Sequence, residues 1–359
     1  MTAADFLSLA DYGRHFAATA PAGVRAWVDG GAGDGITAAE NLAAFAALRL
    51  WPRVLSDLRA GSAATELFGR PLAAPVLIAP TACHALLHPD GEFATATAAA
   101  LTGTPMIVST QASVRIEDLT AAVPGADLWF QIYPQPVFAD TLDLCRRAVA
   151  AGCRALVLTV DAPVSGVRNA EQRAGFVLPE AAQANLRDYA PPPVVEGPRS
   201  PVFRGLVDPA LRWAEAGRIC AESPVPVLFK GILHPDDALK ARAAGAAGIV
   251  VSNHGGRVLD TVPPAIAALP AIRRALGPGV PVLVDGGVRR GTDVVKALAL
   301  GADAVLLGRP VLHALFAAGM SGVAHALTLL QTETEAAMAL LGAARPGDID
   351  ATRIWSGPP

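Results

Sequence analysis

Cysteine is scarce in this chain of 359 residues: Cys83, Cys145, Cys153 and Cys220, with no CxxC pair and no even framework of spacings. A disulfide scaffold is thereby excluded, and the thiols read as small core residues suited to a reducing cytoplasm. Excess charge is lacking too, since 29 Lys+Arg against 32 Asp+Glu leave −3. No basic field exists to hold nucleic acid or an anionic membrane. Long hydrophobic runs are also missing. The longest apolar stretches are broken by Pro, Asp or Gly within about ten residues, short of the roughly 20 that a spanning helix needs. Met1–Tyr12 does not have the charged-then-apolar layout of a secretion signal, so a cytoplasmic protein is expected.

What is present is a 52% apolar chain, long enough to bury one large core as a single domain over residues 1–359. From about Ala74 onward, short β-branched runs alternate with Ala/Leu-rich helical stretches. The runs are Pro75–Pro80, Met106–Thr110, Leu128–Tyr133, Ala155–Asp161, Pro226–Gly231, Gly248–Asn253, Pro281–Gly286 and Ala302–Gly308. Each is apolar for four to six residues, as a strand buried on both faces must be. Helical patterns such as Glu92–Leu101, Asp140–Ala151, Asp236–Ala244 and Thr292–Leu300 lie between them, and Gly103, Gly152, Gly245 and Gly301 mark helix stops. Eight such units predict a closed α/β barrel of the TIM (β/α)8 type.

Polar residues collect at the C-terminal ends of these runs: Thr81, Ser109, Gln131, Tyr133, Thr159, Asp161, Lys230, Ser252, Asn253, Asp285 and Arg309. A strand interior cannot carry such groups unpaired, whereas a barrel mouth can. Residues 1–70 read as helices capping the barrel, with Thr37 as N-cap of Thr37–Leu48 and Glu40 at capping-box spacing. The fourth unit is interrupted by a Pro-rich segment at residues 177–211. It reads equally as a mobile lid-like loop over the mouth or as a disordered insertion.

Three motifs carry chemistry. Asp285-Gly286-Gly287 with Arg289, followed by Gly308-Arg309 one strand later, places glycines and arginines where barrels hold a phosphate. Ser252-Asn-His254-Gly-Gly-Arg257 puts a proton acceptor and a guanidinium on one flexed loop, and Asp161 can hold the imidazole tautomer from the same mouth. Lys230 emerges from an apolar strand, as a partner for a ligand anion, a Schiff-base lysine or half of a structural ion pair. His84 and His88 flank a turn without the glutamate of a zinc site, and no metal is implied.

The strings IAPTA, HPDGE, LTVDAP, SNHGGR and LVDGGVRRGTDVVKALALGA, in this order along the chain, resemble the FMN-dependent 2-hydroxy-acid oxidases and dehydrogenases over residues 5–340 or so. That family includes glycolate oxidase, lactate oxidase, mandelate dehydrogenase and 4-hydroxymandelate oxidase. The resemblance implies oxidation of a small L-2-hydroxy acid to the 2-keto acid, with FMN passing electrons to O2 or another acceptor, in a homotetramer. His254 would be the base, supported by Asp161. Arg168 and Arg257 would grip the substrate carboxylate, and Tyr133 would hydrogen-bond to the substrate. Pro80, Thr81, Ala82, Ser109, Gln131, Thr159, Lys230 and Ser252 would line the flavin and its ribityl chain. Asp285, Gly286, Gly287, Arg289, Gly308 and Arg309 would bind ribityl hydroxyls and phosphate.

Two substrate-side positions depart from the glycolate-oxidase pattern. Trp27 stands where that pattern has a Tyr, and Gln111 where it has an aromatic. A bulkier, mandelate-like aryl acid is therefore expected. A dehydrogenase with a non-oxygen acceptor and a tailoring oxidase for a carrier-tethered acid are the alternatives. A non-redox FMN barrel would have no need of a carboxylate clamp plus base.

Overall fold

The computed structural model describes residues 2–189 and 211–357. The antiparallel hairpin β1 (Thr65–Leu67) and β2 (Arg70–Leu72) comes first, then eight parallel strands. These are β3 (Val76–Ile78), β4 (Met106–Val108), β5 (Leu128–Ile132), β6 (Leu156–Thr159), β7 (Val227–Ile232), β8 (Gly248–Val251), β9 (Val282–Val284) and β10 (Ala304–Leu307). They close in the order β10-β3-β4-β5-β6-β7-β8-β9, so the barrel expected from the eight runs is the observed fold. Most strands are shorter than their runs, because the last residues leave the ladder and turn into the mouth.

Side chains alternate across the barrel wall. Leu77, Ile107, Trp129, Val157, Leu228, Val250, Leu283 and Leu306 fill the interior. Ile78, Val108, Phe130, Leu158, Phe229 and Val251 face the surrounding helices. Leu67 and Leu72 of the hairpin join the interior cluster. Among the described residues up to 70, helix is confined to a 3-10 turn at Ala3–Asp5 and to α1 (Leu9–Thr19), α2 (Ala22–Asp29) and α3 (Ile36–Ala47), and the hairpin packs onto the opposite, lower end of the interior.

The predicted cap on α3 is corrected. Gly35, in the left-handed region at φ 77°, is the N-cap residue, and Thr37 lies inside the helix. The orphan amides are capped from 223 and 224 residues away in sequence: Asp260 accepts from Thr37 N at 2.8 Å and from Ile36 N at 3.2 Å. The expectation about apolar runs is corrected as well. The Arg309–Leu341 helix is long and apolar enough by composition to cross a membrane. It breaks at Ala318 and Gly319, and its buried face packs on α1 and on α4 (Gly91–Thr102). It is a core helix of the barrel's outer ring.

Of the segment predicted as lid or insertion, residues 190–210 lie outside the described residues. The part before them is tied down, because buried Asn185 accepts from Ile116 N at 2.8 Å.

Candidate active site

A cavity of about 340 Å³ opens at the C-terminal ends of the barrel strands. Every residue given a cofactor or substrate role from the sequence lines it except Asp161 and Ser252; Asn253, also expected at the mouth, is instead buried against Asn41. Ser252 is a correction: it is fully buried behind the wall, where its Oγ lies 2.9 Å from both Lys230 Nζ and His254 N. It fixes the two neighbours that do face the cavity. Trp27 and Gln111 both line the wall, and the Trp27 ring packs against Phe176 at 5.9 Å between centroids.

His254 sits at φ 58°, a left-handed conformation uncommon for a side-chain-bearing residue, and Gly255 and Gly256 continue it. The turn holds because Ser252 Oγ takes the His254 amide and Asn253 O accepts the Gly256 amide at 2.9 Å. His254 Nδ1 lies 3.1 Å from Asp161 Oδ1, and Nε2 lies 3.2 Å from the Tyr133 hydroxyl. Nδ1–H donating to the carboxylate leaves the Nε2 lone pair facing the cavity, where Tyr133 donates to it. Burial alone would raise the Asp161 carboxyl, but His254 and Lys230 more than offset this and hold it below its ordinary value. Burial raises the Tyr133 phenol, which stays protonated and able to donate.

Asp161 approaches so closely because residue 231 has no side chain. A Cβ on Gly231, at φ 108°, would stand 2.4 Å from Asp161 Cβ and Cγ. The β7–β8 register also shifts there, the bulge re-aiming the strand end beside the site. Gly231→Ala should therefore cost roughly 1–3 kcal/mol and displace Asp161 from His254. A melting temperature equal to the parent's would refute this reading.

Next to Asp161 and His254, Lys230 Nζ pairs with Asp285 Oδ2 at 3.0 Å, and both side chains are under a tenth exposed. Of the three readings open for Lys230, the geometry is that of an ion pair. Burial would lower its ammonium, but Asp285 and Asp161 win and hold it above the ordinary value. A Schiff-base lysine needs the reverse. Asp285 Oδ1 is buried with no hydrogen-bond partner, an acceptor that calls for a donor in the cavity.

Arg289 and Arg309 lie next to the glycines of the last two strands. Arg309 donates to Val28 O, Gly30 O and Gly255 O, and Arg289 to its neighbour Val288 O. Burial depresses both guanidiniums, and the repulsion from Arg289 helps to bring Arg309 down to about 10. Two desolvated cations whose hydrogen bonds go to carbonyls make a strong anion site.

Arg168 and Arg257 meet around a residue that the sequence reading missed. Glu171 Oε1 lies 3.0 Å from Arg257 Nη2 and 3.2 Å from Arg168 Nη1. Arg257 Nη1 also donates to Trp27 O and Gly30 O, at the C-terminus of α2, where cations are favoured. Burial, with Arg168 and Arg309 nearby, brings the Arg257 guanidinium down to about 10. Arg168 Nε is buried without a partner. The only sequence signal for Glu171 is its i+3 spacing from Arg168, one helical turn on.

Below the wall, His84 bridges Thr81 Oγ1 at 2.7 Å and Thr95 Oγ1 at 2.9 Å. Burial lowers its imidazole, against the opposing pull of Glu92. The unfolded chain then binds this proton more tightly than the folded one, so stability falls as pH drops below about 6.5. His84→Gln should flatten that acid limb in urea unfolding at stepped pH, and an unchanged slope would clear His84 of the effect.

The family model described as FMN-dependent dehydrogenase matches residues 17–356. An L-lactate oxidase of Alicycliphilus denitrificans is 48% identical over 343 residues, covering 94% of this chain and 93% of that protein. An L-lactate oxidase of a Roseobacter species is 44% identical, covering 96% and 93%. A crystal structure of mandelate oxidase with benzoyl-formic acid superposes at TM-score 0.88 with 41% identity, covering 98% of each chain.

Proposed function

The chain belongs to the FMN-dependent dehydrogenase family, and from that premise we propose how its barrel mouth divides the work of oxidising a 2-hydroxy acid to the 2-keto acid. The residues present fit the cofactor. The orphaned Asp285 Oδ1 would take a ribityl hydroxyl, and the under-compensated Arg289 and Arg309 would take the phosphate with Gly286, Gly287 and Gly308. Thr81, Ser109, Gln131 and Thr159 would line the ring and its chain beside Lys230. Bound FMN supplies a two-electron acceptor.

The protein supplies the rest. Arg168 and Arg257 hold the substrate carboxylate and so fix its α-carbon. His254 Nε2 accepts the proton released as the alcohol becomes a ketone, and Asp161 stabilises the imidazolium that results. Tyr133, 3.2 Å from that nitrogen, hydrogen-bonds to the substrate oxygen. The observation that carries this reading is one cavity wall presenting the carboxylate-held imidazole and both guanidiniums together. Trp27, Phe176 and Leu178 give the substrate's own side chain an apolar seat, which suits an alkyl or aryl L-2-hydroxy acid.

O2 is the proposed final acceptor, and a homotetramer in the cytoplasm the proposed working form. The test is an oxygen electrode with L-lactate, glycolate and L-mandelate, repeated anaerobically with an artificial acceptor. Oxygen uptake with matching keto acid supports the oxidase reading. Turnover only with the artificial acceptor replaces it with a dehydrogenase. Silence with all three free acids points to a larger or carrier-tethered substrate.

A further inference from the structure

Among the described residues, two acidic side chains line the cavity, Asp285 and Glu171. Asp285 is matched by Lys230, whereas Glu171 joins the two arginines of the clamp, accepting from Arg257 through Oε1 and from Arg168 through both oxygens. Glu171 is only 14% exposed, and Arg168 and Arg257 are 27% and 19% exposed, so water screens the three charges weakly. The trio carries a single net positive charge. One carboxylate from a substrate makes it neutral, and the buried, unpartnered Arg168 Nε is a donor still open for it. A second carboxylate held on the clamp side of the cavity would lie against the Glu171 anion or the apolar Trp27, Phe176 and Leu178. Like charges placed side by side in a desolvated site are strongly disfavoured.

We infer that Glu171 is a charge filter that restricts this site to monocarboxylates and rejects dicarboxylates. The inference rests on the proposed role of Arg168 and Arg257 as the carboxylate clamp. It concerns selectivity, and not the binding of a carboxylate as such.

The test compares two ligands of nearly the same shape, oxamate with one charge and oxalate with two. Each is titrated into FMN-loaded enzyme, and the dissociation constant is read from the perturbation of the flavin spectrum. Glu171→Gln should shift the oxamate/oxalate selectivity toward oxalate by about tenfold or more, while Glu171→Asp, which keeps the charge, should hold the parental ratio. If Glu171 merely braces the arginines, Glu171→Gln weakens both ligands together and leaves the ratio where it was, which overturns the inference. An oxalate preference in Glu171→Asp equal to that of Glu171→Gln overturns it too. A parent enzyme that binds neither anion would instead bring down the clamp assignment, and the filter with it.

Discussion

Replacing His254 with alanine should leave a yellow protein whose flavin is reduced by substrate about 10²- to 10⁴-fold more slowly, the usual worth of a positioned base. The colour should survive because His254 borders the cavity from the Asp161 side, while the residues that would hold the ribityl chain and phosphate sit at the ends of β7, β9 and β10. The affinity for an inert monocarboxylate should change little, since the guanidiniums stay anchored to Trp27 O, Gly30 O and Glu171. Asp161→Asn should reproduce part of the loss, because the amide cannot stabilise a charged imidazole at Nδ1. Rapid-mixing absorbance under nitrogen separates the effects, and a His254→Ala protein reduced at the parental rate would remove the base from the account.

The second large effect is on stability. Lys230→Met deletes one half of the buried pair with Asp285 and leaves a carboxylate with neither of its oxygens partnered. Breaking such a pair typically costs about 3–5 kcal/mol. Lys230→Met/Asp285→Leu, which removes both charges, should recover most of that loss in urea unfolding without added flavin, though it should no longer retain FMN. A single variant that unfolds at the parental urea midpoint would show the pair to be energetically idle. The contrast between single and double variants also distinguishes a charge left unpaired from a simple packing defect.

Much of this was legible in the chain. Eight runs of β-branched residues could only be strands buried on both sides, and polar residues at their ends could only be tolerated at a mouth. The glycine-flexed loop with His254 and Arg257, and the paired glycine–arginine motifs after the last two strands, fell on one wall because the barrel closes. What escaped depends on contacts that periodicity does not encode. Asp260 caps α3 across more than 220 residues, so a local capping box at Thr37 was the wrong place to look. Ser252 continues a strand ending in mouth residues, yet its hydroxyl is consumed by Lys230 and the His254 amide. Glu171 lies on a five-residue helix, Asn169–Arg173, too short to show a periodic face. Only the fold brings Arg257 to it, from 86 residues further along the chain.

The most direct measurement is an anaerobic titration of the purified holoprotein with L-lactate or L-mandelate, following flavin absorbance and keto acid together. The account predicts a yellow protein that bleaches fully and yields one keto acid per FMN. A protein that takes up no FMN, or one whose flavin stays oxidised with every L-2-hydroxy acid tried, would contradict it.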